Sequence, residues 1–355
     1  MMDIQKTAHA FRMDGRPVSC ALFGSGHINQ TYMITTETGH SYVLQHINQN
    51  VFKDPVGLME NAYGVTTYIR QHGGRAICFL KTVDGKLCYQ DETGEYWRAY
   101  EFLRGICMDL PETENDFYQS ALAFGEFQHQ LAGYPAQTLH ETIPNFHNTP
   151  DRFRQLRQAV EENRSGRLDS AAAEVEFYLS HEALGGRLYG MLQQGILPLR
   201  VTHNDTKLNN VLLDPETRAP LCVLDLDTVM PGLSAYDFGD SIRFGAATAA
   251  EDEQDLSKMK LDLRLFEVFV RGYLEAAPSL TEEEVKVLPL GAFTMTLECG
   301  SRFLKDYLDG DLYFRTAYPE HNLVRCRTQM ALCADMLAHW TEMEEIVARI
   351  AAQVR

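Results

Sequence analysis

The spacing of apolar positions changes once along this chain. Through the first hundred residues they fall in short β-like runs, at 19–23, 31–35, 42–47, 76–80, 87–90 and 97–102, separated by turns rich in Gly, Asp and Asn. Such runs predict strands. One helix is predicted among them, from about 55 to 72, with Gly73-Gly74 as its stop, as helices commonly end. Beyond Arg104-Gly105 the steps lengthen to three and four, so that Phe117, Ala121, Phe124, Gln128 and Leu131 share one face, the helical period. Further helices are predicted at about 151–163, 168–194, 255–276, 281–309 and 323–354. The expected fold is therefore α+β and bilobal. A small β-rich N-lobe (1–103) would join a large, mostly helical C-lobe (104–355) through a hinge at 100–105. No internal repeat or low-complexity tract interrupts this plan.

Inside the helical half one stretch reads differently. His203 and Asp205 open a short loop, and Asn210 follows the aspartate by five positions, the order H-x-D-x-x-x-x-N that serves phosphoryl transfer in kinases. A strand at 211–213, a turn at 214–217 and a second strand at 221–224 ending on Asp225 predict a hairpin with its polar ends side by side. These residue types suit the chemistry. A carboxylate at Asp205 can orient an attacking alcohol and take its proton. Magnesium prefers hard oxygen ligands, so Asn210 and Asp225 can hold Mg2+ and leave positions for phosphate oxygens. Lys207 adds a cation near the transferred group. An ordinary polar turn would also use Asn and Asp, but it needs no histidine, aspartate and asparagine at fixed offsets.

Composition narrows the class. The 355 residues are 45% hydrophobic, ample for two lobes with sizeable cores. Eight cysteines occur without a C-x-x-C pair, so neither a zinc site nor a disulfide framework is expected. The first residues lack the apolar core of a signal peptide and no apolar run reaches membrane-spanning length, which makes the cytoplasm the expected location. A formal charge of −17 argues against nucleic acid or an anionic membrane as partner. It does not argue against ATP, which arrives with magnesium.

The small lobe offers a candidate phosphate loop. Gly24, Ser25, Gly26 and His27 lie between two strands, where backbone amides can approach phosphates, although Gly-Ser-Gly also makes a plain hairpin turn. Gln45 stands where kinases carry a cation for the α- and β-phosphates. Two features are set aside. Asp237-Phe238-Gly239 spells the metal-binding triplet of protein kinases but lies well past Asp225, so Asp237 is expected to bond backbone amides beneath the catalytic loop. His203 has no second His or Cys at ligand spacing, which excludes a zinc reading.

HNDTKLNN, VLDLDT and YDFGDSIRFG together resemble the aminoglycoside phosphotransferase and choline kinase superfamily, with its protein kinase-like fold. The wording is most similar to the N-acetylhexosamine 1-kinases within it. GHINQTYMITT and YVLQHIN extend the likeness through the small lobe, and ECGSRFLKDYLDGDLYF and YPEHNLVRCRTQ extend it near the end. The last two are not general kinase motifs. The resemblance implies ATP-dependent phosphorylation of the anomeric hydroxyl of N-acetylglucosamine or N-acetylgalactosamine by a monomer. Asp205 would be the base, Asn210 and Asp225 the magnesium ligands, and Gly24, Ser25, Gly26, His27 and Lys207 would face the nucleotide. Asn29, Phe244, Arg302 and Tyr313 would meet the sugar. It also implies that glutamine at position 45 is a family trait. Read from the residues alone, Arg302 could equally be a solvated helix arginine, and Phe244 and Tyr313 core residues. Glu298, Asp306, Asp309 and Asp311 would edge the pocket. The same superfamily contains kinases of aminoglycosides, choline, homoserine and methylthioribose, and kinase folds also occur as non-catalytic nucleotide-binding modules.

Overall fold

The computed structural model describes residues 4–24 and 29–355. Its N-terminal part is built on five strands, β1 (Pro17–Leu22), β2 (Thr31–Thr36), β3 (Ser41–Ile47), β4 (Tyr89–Gln90) and β5 (Tyr96–Glu101). They form one sheet in the order β1-β2-β3-β5-β4, antiparallel throughout. The run at 76–80 is not a strand of this ladder. It touches β5 at Phe79 and Tyr100, with the Leu80 amide donating to the Ala99 carbonyl (2.8 Å) and the Glu101 amide donating to Cys78 (3.0 Å). One edge of β5 is taken by β3; β4 pairs with Tyr96 and Trp97, which leaves 76–80 only the far end. Two bonds are too few for a ladder.

The helix Pro55–Gln71 has the boundaries its caps dictate. Asp54 Oδ1 accepts from the Gly57 amide (2.9 Å), and Pro55 occupies the first turn, where a missing N–H costs nothing. At the other end Gly73 takes a φ of +84°, letting the Gly74 amide reach the Ile69 carbonyl (2.9 Å).

The C-terminal part is helical around one central element. Leu288–Asp309 is buried along most of its length and packs against Ser234–Gly245, Thr149–Glu162 and His321–Ala338. Glu114–Gln130, started by a capping box between Thr113 and Asp116, lies along Leu263–Ala276. Phe117, Phe124, Phe238, Phe266, Phe269 and Tyr273 fill the space between them and Ser234–Gly245. Four predicted helices are shorter or divided. Residues 168–194 become a 3₁₀ turn followed by Ala172–Ser180, Glu182–Gly185 and Arg187–Gln193; Gly185, Gly186 and Gly190 weaken any continuous helix there. The helix predicted from 255 begins at Leu263, where Asp262 accepts from the Arg264 (2.9 Å) and Leu265 (3.0 Å) amides. Pro289, which has no N–H to give, separates Glu282–Lys286 from Leu288–Asp309. His339 divides the last stretch into His321–Ala338 and Trp340–Val354, its ring bonding the Asp335 carbonyl (2.9 Å). Among the described residues no helix is long and apolar enough to cross a membrane.

One helix crossing sets the height of everything above it. Where Ser234–Gly245 meets Leu288–Asp309, a Cβ on Gly239 would stand 2.2 Å from the Gly291 carbonyl oxygen, and one on Gly291 would stand 2.4 Å from that of Ala235. Backbone cannot yield as a flexible side chain can. Gly291→Ala is therefore expected to lose about 1–3 kcal/mol of stability, seen as a lower urea midpoint at unchanged slope. An unaltered midpoint would contradict the close crossing.

Candidate active site

The catalytic loop is suspended between two short ladders. Strand β6 (Arg200–Thr202) pairs with β9 (Met230–Gly232) on one side, and β7 (Val211–Leu213) pairs with β8 (Pro220–Val223) on the other. The β7–β8 turn follows from its sequence, since Asp214 Oδ1 accepts from the amides of Glu216 (2.9 Å) and Thr217 (2.8 Å). Val211 faces Val223, and the Leu224 amide donates to the Asn210 carbonyl (2.8 Å). That register brings Asn210 and Asp225 to the same end of the hairpin. The linker into this half is fastened to it as well: Ile106 and Leu213 exchange two backbone bonds of 2.9 Å each.

Loop residues 203 and 204 are held from below by one carboxylate. Asp237 Oδ2 accepts from the His203 amide (2.9 Å) and from Gln128 Nε2 (2.8 Å), while its Oδ1 accepts from the Asn204 amide (2.8 Å). Full burial pushes the Asp237 pKa up, and the three donors work against that push. The sequence expectation of a backbone-bonding role for Asp237 is met by these contacts. Asp240 repeats the device one turn on, taking the Thr206 amide (3.0 Å) and pairing with Arg243 (2.9 Å). The His203 ring is wholly buried against Phe124 and Phe127. Its Nδ1 lies 3.3 Å from the Asp205 amide and must accept, so the proton sits on Nε2 and is donated to the Leu224 carbonyl (2.8 Å). Asn204 sits at a φ of +63°, tied by its side-chain amide to the Thr228 carbonyl (2.8 Å).

Above this base Asp205 faces a cleft of about 590 Å3 whose lining includes Gly24, Gln45, Lys207, Asn210 and Asp225. Lys207 Nζ pairs with Asp205 Oδ1 (2.7 Å), and Asn210 Nδ2 donates to Asp205 Oδ2 (3.0 Å) and to its carbonyl (2.8 Å). Burial alone would lower the Lys207 pKa; the carboxylate beside it more than reverses this, and the ammonium stays charged. Because both Asn210 contacts are made by the amide nitrogen, its Oδ1 remains an acceptor. Asp225, in the left-handed region at φ +52°, opens on the cleft. Lost hydration and nearby Asp227 push its pKa up to about 6, against the pull of Arg98. One amide oxygen and one carboxylate fit a magnesium ion that takes its other ligands from phosphates and water. Among the described residues no three His, Cys, Asp or Glu side chains gather into a closed metal cage.

The remaining sequence-predicted residues fall into three places. Ser25, Gly26 and His27 lie outside the described residues, while Gly24 takes a φ of +77° at the cleft edge. Asn29 has both ends of its amide engaged, Nδ2 with Asp227 Oδ2 (2.6 Å) and Oδ1 with the Asn48 amide (3.1 Å). Phe244, half-buried, carries Lys207 Nζ 5.6 Å above its ring. Arg302 and Tyr313 are not in the lining of this cleft but lie together. The Arg302 guanidinium is 5.4, 5.9 and 5.6 Å from the rings of Phe146, Tyr313 and Phe314, and Tyr313 is 69% exposed, which excludes a core role for it.

The acidic residues near Arg302 do something other than edge a pocket. Asp306 is consumed by the loop after its helix, accepting from the amides of Leu312 (3.0 Å), Tyr313 (2.8 Å) and Phe314 (2.9 Å). Asp309 pairs with Lys305 (2.6 Å), Asp311 with Arg167 (2.5 Å), and buried Glu298 with His147 and Thr149 (2.7 Å each). Buried or half-buried carboxylates this close to donors satisfy them first.

Two residues escaped the sequence reading. Arg98 of β5 lies directly opposite Gln45 of β3, donates from Nε to Gln45 Oε1 (2.9 Å), and pairs through Nη1 with Asp227. An arginine set between Trp97 and Ala99 in the middle of a strand, and the second aspartate of Asp225-Leu226-Asp227, were the available signals.

A five-stranded antiparallel sheet over a helical body, with a kinase-order loop at the junction, defines a protein kinase-like small-molecule kinase fold. Residues 19–277 match the model of the phosphotransferase enzyme family (APH), and the chain belongs to that family. A microcompartment-associated aminopropanol kinase is similar in structure at a TM-score of 0.67, with 17% identity over 96% of this chain and 98% of that one. An amicoumacin kinase in complex with AMP-PNP, Ca2+ and Ami gives 0.63, with 14% identity over 92% of each chain. Choline kinase from Cryptosporidium parvum Iowa II gives 0.54, with 14% identity over 94% of this chain and 91% of that one.

The suspension of the loop is open to test. Asp237→Asn keeps the shape but turns an NH2 toward a donor, so stability is expected to fall by about 1–3 kcal/mol and turnover to fall with it. Calorimetric unfolding alongside a phosphotransfer assay measures both. Wild-type stability in the variant would remove Asp237 from this role.

Proposed function

We propose that this protein transfers the γ-phosphoryl group of ATP to the anomeric hydroxyl of an N-acetylhexosamine, giving the sugar 1-phosphate. The observation that supports the kinase part best is Asp205 held at the cleft by Asn210 and Lys207. Asp205 accepts the proton of the attacking hydroxyl as its oxygen bonds to phosphorus and the bond to the β-phosphate oxygen breaks. Asn210 and Asp225 are the residues that would hold magnesium, which offsets phosphate charge when bound. In this reading the lobes divide the work at about 103/104, nucleotide above and acceptor below.

The acceptor rests on the sequence likeness and on Arg302. Among the described residues no carboxylate lies within ion-pair distance of its guanidinium, which three aromatic rings hold in place. Such a cation suits a carbonyl or hydroxyl oxygen of a neutral sugar. A second reading, a cationic amino alcohol, draws on the charge of −17 and on the aminopropanol and choline kinases of similar fold. An uncompensated arginine would repel that acceptor.

Asp205→Asn is expected to lower kcat by about a hundredfold to ten thousandfold with ATP affinity nearly intact, and kcat above about a tenth of wild type would sink the assignment. Phosphorus NMR of ATP with N-acetylglucosamine, N-acetylgalactosamine, choline and an aminoglycoside decides the acceptor. A 1-phosphate that has lost its reducing end supports the sugar reading, whereas phosphate on choline or the aminoglycoside alone overturns it. Arg302→Ala is expected to lose about 1.5–3 kcal/mol in kcat/KM for the sugar, with KM for ATP little changed. Impairment confined to ATP would assign Arg302 elsewhere.

A further inference from the structure

We propose that Arg98 brings to the nucleotide phosphates the positive charge that position 45 does not carry. This rests on the nucleotide-binding reading of the cleft, and it concerns how that cleft is charged.

Cross-strand partners in an antiparallel sheet project to the same face. Thr31 faces Gln45, and Gln45 faces Arg98, so the three form a row across β2, β3 and β5. Hydrogen bonds join it: Gln45 Nε2 donates to Thr31 Oγ1 (3.0 Å), and Arg98 Nε donates to Gln45 Oε1 (2.9 Å). All three line the cleft that Asp205, Asn210 and Asp225 also line. Gln45 therefore fixes the plane and direction of the guanidinium beside it. A lysine at 45 would place a second cation against that guanidinium, and the neutral amide is the partner that lets the arginine stay.

The guanidinium is almost fully buried, at 3% exposure, and its Nη1 is paired with Asp227. Burying such a pair costs much of the attraction it returns, and Asn29 and Gln45 each add a hydrogen bond to it. Nη2 is left. Among the described residues it has no partner within hydrogen-bonding distance, and it belongs to a side chain that lines the cleft. A planar fork can keep Nε and Nη1 on protein and offer Nη2 to a phosphate oxygen, which a lysine ammonium in that crowded row could not do with the same rigidity.

The test counts phosphates. ADP and adenosine are titrated by calorimetry, with magnesium, into the wild type, Arg98→Gln, and the double variant Arg98→Gln/Gln45→Lys. Arg98→Gln is expected to weaken ADP about tenfold to a hundredfold and adenosine less than about twofold, since only a phosphate contact distinguishes the two. Moving the charge one strand over in the double variant is expected to recover most of the ADP affinity. Should Arg98→Gln fail to fold because Asp227 is left unpaired, Arg98→Gln/Asp227→Asn, compared with Asp227→Asn alone, carries the same ADP-to-adenosine comparison with a neutral pair. Equal losses for ADP and adenosine, or none, would overturn the proposal and leave Arg98 as a tie between sheet and hairpin. Absence of ADP binding by the wild type would overturn the kinase reading itself and this assignment with it.

Discussion

A single buried carboxylate carries the geometry of the site. Asp237 takes the amides of His203 and Asn204 and the side chain of Gln128, so the backbone just before Asp205 is positioned by a helix and not by the loop's own preferences. That helix is in turn seated on the central one through a glycine-to-backbone crossing at Gly239 and Gly291. Backbone amides turned inward without an acceptor would each cost more than the loop gains by closing. The loop can therefore keep a left-handed Asn204 and still present Asp205 in one orientation. Rigid support below and polar groups above are what a phosphoryl-transfer site needs, since little covalent chemistry falls to the protein and most of the work is placement.

The sheet meets the hairpin through charge. Arg98, braced by Gln45, and Asn29 from the small lobe converge on Asp227, two residues beyond the proposed metal ligand Asp225. The contact is short in sequence on neither side, which makes it a direct mechanical coupling between the lobe that would receive nucleotide and the turn that would hold its metal. Asp225 feels the same network: lost hydration and Asp227 raise its pKa while Arg98 opposes them.

The proposed acceptor side is organised by different means. Asp306 collects three successive amides and so folds the loop that places Tyr313 and Phe314 over Arg302. Phe146 comes from a distant segment to complete that aromatic setting, anchored through its own carbonyl by Arg152. Acids that sequence proximity suggests as sugar ligands are thus spent on the loop and on neighbouring donors, while among the described residues Arg302 meets no carboxylate.

The sequence alone determined the elements whose signals are local. Short β-like runs marked the five strands of the small lobe, the Gly73-Gly74 stop marked the end of its helix, and the spacing of Asp205, Asn210 and Asp225 marked a hairpin whose register follows from its turn. Even the part played by Asp237 was legible, because a carboxylate set well past Asp225, off the end of the hairpin strand, is placed to bond the loop and not a metal. Tertiary structure decided the rest. Whether 76–80 joined the sheet depended on how much of β5 remained free, and where long helical stretches broke depended on single residues such as Pro289 and Gly186 within a packed body. The pairing of Arg98 with Gln45 and Asp227 joins residues 53 and 129 positions apart, and the setting of Arg302 joins Phe146 to Phe314. Periodicity reports which face of an element is buried; it carries no information on which distant side chain will be waiting there, because that choice is made by packing and by the need of each buried charge for a partner.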